Sequence, residues 1–128
     1  MATTLEQASA DFYTALNAVL GGDPARMLDH WSHADDVTYM SPFGELLVGW
    51  APIQASWEGQ AAAHLGGRVD GEDLRHVGSA DLGFVVGFER GGVEVDGVPK
   101  PVDIRASSMY RLEGHQWLMI GHHTDPLG

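Results

Sequence analysis

A histidine and an aspartate stand two residues apart near the end of the chain, at His123 and Asp125. Side chains alternate between the two faces of a β-strand, so this spacing places both on one face. A carboxylate beside an imidazole raises the imidazole pKa and can fix its tautomer, which gives an acid or base usable near neutral pH. The pair therefore predicts proton transfer, worth about 10²- to 10⁴-fold in rate. The alternatives are a structural His123, bonded to backbone or to a second subunit, and a merely solvated Asp125.

Histidines and aspartates also cluster near residue 30, where a metal ion would need three or four ligands converging at about 2 Å. His30 and His33 are three residues apart at a predicted helix end, which suits two ligands. His122 and His123 are adjacent, so they point to opposite faces of one strand and cannot share an ion within it. We predict neither a metal site nor another cofactor.

Composition limits the classes of partner. Eighteen acidic residues against seven basic ones give a formal charge of −11, which disfavours nucleic acid. The chain has no cysteine, so disulfides and thiolate metal sites are excluded. It shows neither a secretory signal nor an apolar run long enough to span a membrane. We expect one domain over residues 1–128, in the cytoplasm and without a membrane partner.

The first half of the chain reads as helical. Apolar residues recur at helical spacing from Thr4 to Leu20, with Thr4 as the N-cap and Gly21-Gly22 as the stop. Asp23 is the expected N-cap of a second helix that starts at Pro24. A third helix is predicted after Gly49, through Ile53 and Trp57 and as far as His64. Two short strands, residues 37–40 and 46–48, separate the second helix from the third.

The second half reads as strands. They are predicted at residues 68–77, 82–95, 98–112 and 117–124, and Asp96-Gly97 suits the tight turn of a hairpin. Helices followed by a strand meander are typical of an α+β fold with the helices on one face of an antiparallel sheet.

Three segments carry a family resemblance: ALNAVLGGD, ADDVTYMSPFG and YRLEGHQWLMIGHHTD. They resemble the SnoaL-like and ketosteroid-isomerase-like group of nuclear transport factor 2-like proteins. The resemblance implies three helices packed on a strongly curved antiparallel or mixed sheet, a cystatin-like α+β barrel that encloses one conical pocket. It also implies a homodimer that packs through the outer sheet faces.

Departures from the resemblance exclude one chemistry. A gap-free alignment places the general-base aspartate of ketosteroid isomerases on Ser41 and their oxyanion-hole tyrosine on Phe12. Their protonated aspartate falls near Ser108. A serine hydroxyl cannot take a carbon-bound proton as a carboxylate does, and phenylalanine donates no hydrogen bond. Steroid isomerisation of that design is not expected.

The resemblance also directs one face of the last strand, with Trp117, Met119, Gly121, His123 and Asp125, into the pocket. Inward positions on neighbouring elements complete the predicted ligand-binding set: Phe12, Trp31, Tyr39, Ser41, Trp57, Ser108, Tyr110 and Met119. For any one of the tryptophans, a place in the core is the alternative. Arg105 is predicted to face outward, to pair with Asp103 or a second subunit, unless a bulge turns it inward.

We therefore predict a protein that binds a small, partly apolar molecule, either as a cofactor-independent isomerase, cyclase or hydratase or as a non-catalytic binding or dimeric assembly module. In the enzyme hypothesis His123 transfers the proton, Asp125 orients it, and Tyr39, Ser41 and Tyr110 position substrate oxygens.

Overall fold

A computed structural model describes residues 2–126, and for Pro126 the backbone alone. The elements are helices α1 (Leu5–Leu20), α2 (Ala25–His30) and α3 (Trp50–Ala62), and strands β1 (Thr38–Met40), β2 (Leu46–Val48), β3 (Arg68–Gly78), β4 (Leu82–Val95), β5 (Val98–Glu113) and β6 (Gln116–Pro126). No helix within residues 2–126 is long and apolar enough to cross a membrane.

The first helix is as predicted from its caps. Thr4 accepts a hydrogen bond from the Gln7 backbone N–H at 3.1 Å, which satisfies one of the free donors at the helix start. Gly22, with φ of 103°, ends the helix in a conformation that favours glycine. The buried face of the helix consists of Leu5, Ala8, Ser9, Phe12, Ala15, Val19 and Leu20.

The two other helices differ slightly from prediction. Pro24, not Asp23, is the N-cap of α2, although the Asp23 carboxylate accepts a hydrogen bond from the Ala25 N–H at 3.0 Å. The third helix stops at Ala62 and does not reach His64, because His64 adopts the left-handed conformation with φ of 47°.

Six strands form one mixed sheet in the order β2-β1-β6-β5-β4-β3. All neighbours are antiparallel except β1 and β6, which run parallel. The predicted α+β class, with three helices on a curved sheet, is confirmed. The sheet is not a closed barrel, since β2 and β3 are free edges.

A glycine lets the sheet curl around the helices. Gly91 in β4 has φ of 153°, and a side chain there would collide with the Arg68 carbonyl on β3. The strand beyond it turns back far enough for the Glu94 N–H to bond the Leu65 carbonyl at 2.9 Å. The hollow between helices and sheet is thereby closed on one side.

The predicted hairpin turn at Asp96-Gly97 is confirmed, with φ of 53° and 76°. It pairs Val95 with Val98 and so sets the whole β4–β5 register, in which Glu89 lies opposite Ile104.

A bulge in β6 reverses the alternation on which the site prediction rested. Met109 pairs with Gly121 but Tyr110 pairs with Met119, so Ile120 is an extra residue without a partner on β5. Beyond the bulge the inward residues are therefore His122 and Thr124, which line the cavity. The predicted inward orientation of His123 and Asp125 is wrong for this reason.

Candidate functional site

A cavity of about 710 Å³ lies between α1, α3 and the inner face of the sheet. Its wall is largely apolar and includes three stacked or buried aromatic residues: Phe12 from α1, Trp57 from α3 and Tyr39 from β1. The Tyr39 and Trp57 rings stack with centroids 4.9 Å apart and planes 17° apart. A cavity of this size and character suits a small molecule with an apolar ring.

A buried glutamate is the charged group of this wall. Glu89 lines the cavity with only 3% of its surface exposed. Its Oε2 accepts a hydrogen bond from the Tyr13 hydroxyl at 3.0 Å and lies 3.0 Å from His122 Nε2. No residue of the described part of the chain donates to Oε1, so Oε1 is the oxygen left for a ligand.

His122 is held at both ring nitrogens. Nε2 lies 3.0 Å from the Glu89 carboxylate, and a hydrogen bond of 2.8 Å joins Nδ1 to the Ser108 hydroxyl. The Phe12 ring covers the imidazole, with centroids 4.5 Å apart. This packing and the two polar contacts hold the ring, which is 2% exposed.

A serine next to a histidine that in turn contacts a glutamate also occurs in hydrolases with a serine nucleophile. Here, however, Ser108 is buried beneath His122 and does not line the cavity. Its hydroxyl therefore cannot reach a bound ligand, and it orients the imidazole instead.

Tyr13 and Tyr39 stay protonated. Burial raises the pKa of the Tyr13 hydroxyl, and the Glu89 charge raises it further, so Tyr13 donates to the carboxylate. Burial likewise raises the pKa of Tyr39, partly offset by a hydrogen bond from Gln60. Both phenols therefore keep their hydrogen at any ordinary pH.

The predicted catalytic pair is not formed. His123 bonds the Thr38 hydroxyl at 2.9 Å on the outer face, and burial followed by the nearby His122 lowers its pKa, where a rise was predicted. Asp125 is 55% exposed and pairs with Arg105 at 2.6 Å, which lowers the pKa of that carboxyl. Arg105 thus faces outward, as strict alternation predicted, but with a different carboxylate from the predicted Asp103.

The predicted ligand-binding residues divide into two groups. Phe12, Tyr39 and Trp57 line the cavity. The others are buried but do not line it: Trp31 and Met119 belong to the core cluster, Ser41 accepts a hydrogen bond from the Phe43 N–H, Ser108 bonds His122, and Tyr110 bonds His30.

Glu89, His122, Tyr13 and Gln60 were missed by the sequence analysis. A signal for Glu89 did exist, because the turn at Asp96-Gly97 places it on the same sheet face as the predicted inward Ser108. No pattern in the sequence marks the bulge that turns His122 inward.

Within residues 2–126 no three His, Asp or Glu side chains converge as metal ligands. Near residue 30 two of the candidates have other partners. His33 stacks on Trp50 with ring centroids 4.1 Å apart, and Asp36 pairs with Arg111 at 2.7 Å.

A second buried histidine lies behind the cavity wall. His30 Nε2 and the Tyr110 hydroxyl are 2.9 Å apart. Burial, followed by the neighbouring His122, lowers the pKa of His30 from 6.5 to about 3. His30 is therefore neutral in the folded protein and takes up a proton on unfolding below pH 6.5.

We expect this histidine to make stability pH-dependent. The unfolded state binds the extra proton, so the contribution of His30 is complete above pH 6.5 and is lost as the pH falls towards 3. The slope amounts to at most about 1.4 kcal/mol per pH unit. Urea unfolding followed between about pH 4.5 and about pH 7 should show a flatter dependence for His30→Gln than for the wild type. Tyr110→Phe keeps the buried imidazole and should keep the slope; an unchanged slope in His30→Gln would contradict the assignment.

Comparison with known proteins identifies the family. A family model described as "SnoaL-like domain" matches residues 5–125, nearly the whole chain. The chain belongs to the SnoaL-like domain family. This confirms the resemblance inferred from the three sequence segments. None of the curated proteins compared with the chain matches it.

Solved structures similar to this SnoaL-like domain carry different names. A Thiobacillus denitrificans protein named "putative calcium/calmodulin-dependent protein kinase type II association domain" is 28% identical, with a TM-score of 0.83 over 100% of this chain and 98% of that one. A Streptomyces avermitilis protein named "putative dehydratase from the NTF2-like family" is 17% identical, with a TM-score of 0.82 over 95% and 93%. The Chlamydomonas reinhardtii CaMKII hub homology domain is 13% identical, with a TM-score of 0.72 over 93% and 95%. The last two likenesses are of fold alone.

Proposed function

We propose that the protein binds a small, partly apolar molecule in the cavity and transfers a proton on it without a cofactor. Glu89 Oε1 accepts the proton, and Tyr13 and His122 hold the carboxylate through Oε2. SnoaL-like and related proteins include members named as isomerases and dehydratases. The names of these similar structures support the class of chemistry, while the roles of individual residues are our own proposal.

One observation carries the proposal: the Tyr13 hydrogen bond and the His122 contact fall on the same oxygen of a carboxylate that lines an apolar cavity. A carboxylate held in this way has its other oxygen free for a reacting proton. Its position, set by a hydrogen bond from α1 and a contact from β6, is preorganised before a ligand binds.

The proposed step is removal of a proton from a carbon next to a carbonyl group. The carbon–hydrogen bond breaks, its electron pair remains on the ligand as an enolate, and the proton moves to Glu89 Oε1. The Tyr13 hydrogen bond and the His122 contact persist throughout. If the proton on Oε1 is replaced by one from the solvent before it returns to the same carbon, the result is exchange. Return of a proton to another carbon gives isomerisation.

Exchange in heavy water tests this function directly. The protein is incubated with a panel of aryl and cyclic ketones, including acetonaphthone, and loss of the proton signal at the carbon beside the carbonyl is followed by NMR. Exchange faster than in buffer is expected for at least one ketone that binds. A ketone set that binds without any protein-dependent exchange would favour the non-catalytic binding module.

Assembly is a second candidate function, supported by an apolar patch on the outer sheet face. The outer patch consists of Val77, Leu82, Phe84, Met109 and Ile120. Val77 is 51% exposed and Phe84 43%. Exposed apolar side chains that lie side by side in this way are typical of a protein–protein interaction surface. Two similar structures are named as association or hub domains. A homodimer packed through this patch would cover it.

A charge placed in the outer patch should break the dimer. Phe84→Glu is expected to shift the wild-type dimer to a monomer in light scattering coupled to size exclusion, because a carboxylate would have to be buried without a partner. Val98→Glu, at an exposed hairpin end outside the patch, is the matched control and should stay dimeric. A wild-type protein that is monomeric at micromolar concentration would contradict the assembly proposal.

A further inference from the structure

The charges that line the cavity all have one sign. Among the described lining residues the formally charged side chains are Glu45, Glu89 and Asp103, and no lysine or arginine accompanies them. Asp103 is partly neutralised from outside by Arg90 at 3.0 Å, whereas no described residue forms an ion pair with Glu45. A ligand in the cavity therefore meets acidic groups beside the Glu89 carboxylate.

An anionic ligand would be penalised twice in such a cavity. It would lose its hydration on entry, and no cation would replace the lost water. It would also be repelled by Glu89, whose effect is strongest in a wall of low polarity. The same charges impose no such penalty on an uncharged molecule of equal size.

Tyr39 supplies a hydrogen-bond donor in the same cavity wall. Its hydroxyl oxygen accepts from Gln60 Nε2 at 3.2 Å, and no described residue accepts its hydrogen. Gln60 is itself held by Ser56, 3.2 Å from the same nitrogen. The amide occupies the phenol oxygen, so the phenol hydrogen is left for an acceptor in the cavity.

The donor and the base belong to the same cavity wall, because Tyr39 and Glu89 both line it. Tyr39 and His122 are paired neighbours on the parallel strands β1 and β6, and their ring centroids are 6.3 Å apart. His122 in turn contacts Glu89 at 3.0 Å, so a ligand bound beside Tyr39 lies near the carboxylate. A carbonyl oxygen at Tyr39 would leave its neighbouring carbon within reach of that part of the wall.

We propose that the cavity selects uncharged ligands with a carbonyl-type acceptor oxygen and rejects carboxylates, with Tyr39 as the donor to that oxygen and Gln60 as the residue that positions the donor. The proposal deepens the proposed function, since it concerns the same site. It names a class of ketones, lactones or esters on an apolar ring.

Binding to three matched naphthalenes tests the selection without relying on turnover. Acetonaphthone is the uncharged ketone, naphthoate is its ionised counterpart, and ethylnaphthalene lacks the acceptor oxygen. By calorimetry at neutral pH, naphthoate is expected to bind at least about 100-fold more weakly than acetonaphthone. Ethylnaphthalene is expected to bind about 3- to 10-fold more weakly, as a hydrogen bond between neutral groups is lost.

Variants separate the roles of the two residues. Tyr39→Phe should reduce acetonaphthone affinity about 3- to 10-fold and leave ethylnaphthalene affinity unchanged. Gln60→Met keeps the phenol but frees it to turn, so it should reduce acetonaphthone affinity by a smaller factor, and not at all in the Tyr39→Phe background. That dependence on Tyr39 is what a merely structural Gln60 would not show.

The results distinguish failure of this inference from failure of the proposed function. A ketone that binds with the stated selectivity but exchanges no proton would leave the selectivity proposal standing and reject catalysis. Naphthoate binding as tightly as acetonaphthone, or a Tyr39→Phe variant with full ketone affinity, would overturn the selectivity proposal. Absence of binding by all three probes to the folded protein would overturn it as well.

Discussion

Glu89→Gln is expected to lower the rate of ketone proton exchange about 10²- to 10⁴-fold, the usual contribution of a positioned general base. The amide has nearly the shape of the carboxylate and still accepts from Tyr13, but it cannot take up a proton. The loss should therefore fall on the exchange rate measured at saturating ketone, while binding of acetonaphthone persists. The NMR exchange assay described above measures both quantities on one sample.

Outer-face variants serve as matched controls for this loss. His123→Ala and Asp125→Asn alter the pair that the sequence pointed to, yet His123 bonds Thr38 and Asp125 pairs with Arg105, outside the cavity. Both are expected to retain exchange within about twofold, since neither touches the ligand. A large loss in His123→Ala together with an active Glu89→Gln would reverse the assignment made here.

Trp31→Ala is expected to cost about 3–5 kcal/mol of unfolding free energy, the range for removing a large aromatic side chain from a core. Trp31 is 1% exposed and packs one layer behind the cavity, with its ring 6.0 Å from that of Tyr39. A loss of this size is a large share of the roughly 5–15 kcal/mol that stabilises a typical domain. Urea unfolding monitored by circular dichroism measures it.

The half-buried Trp50 provides the comparison. Trp50→Ala leaves less of a void, because the Trp50 side chain is only half-buried and stacks on the exposed His33. Its cost should be clearly smaller than that of Trp31→Ala. Equal costs would mean that Trp31 is not the better-packed side chain and would contradict its place in the core.

The fold was predictable because local signals agreed with one another. Thr4 as a cap, glycines at the helix end and the Asp96-Gly97 turn each set a boundary that the structure reproduces. These signals act over a few residues, so a single sequence contains them. The family resemblance added what local signals cannot give, the order in which distant strands pair.

The site was only partly predictable, for a physical reason. Wall residues such as Phe12 and Trp57 follow from the inward face of a helix, and they do line the cavity. The polar centre depends on the pairing of β5 with β6, where one unpaired residue shifts all later side chains to the other face. That shift costs little in backbone energy and leaves no mark in composition or periodicity, so His122 and His123 exchanged places in the prediction.

The extra residue at Ile120 has a consequence for how relatives of this fold can diverge. If this bulge were absent, regular alternation would turn the outward side chains of the last strand, including Asp125, toward a bound molecule. No amino acid would have to be replaced by another for this change. Gain or loss of one unpaired residue can thus change the lining of a cavity more than a single substitution does. Comparisons between such proteins should therefore match the strand pairing before they align the amino-acid sequences.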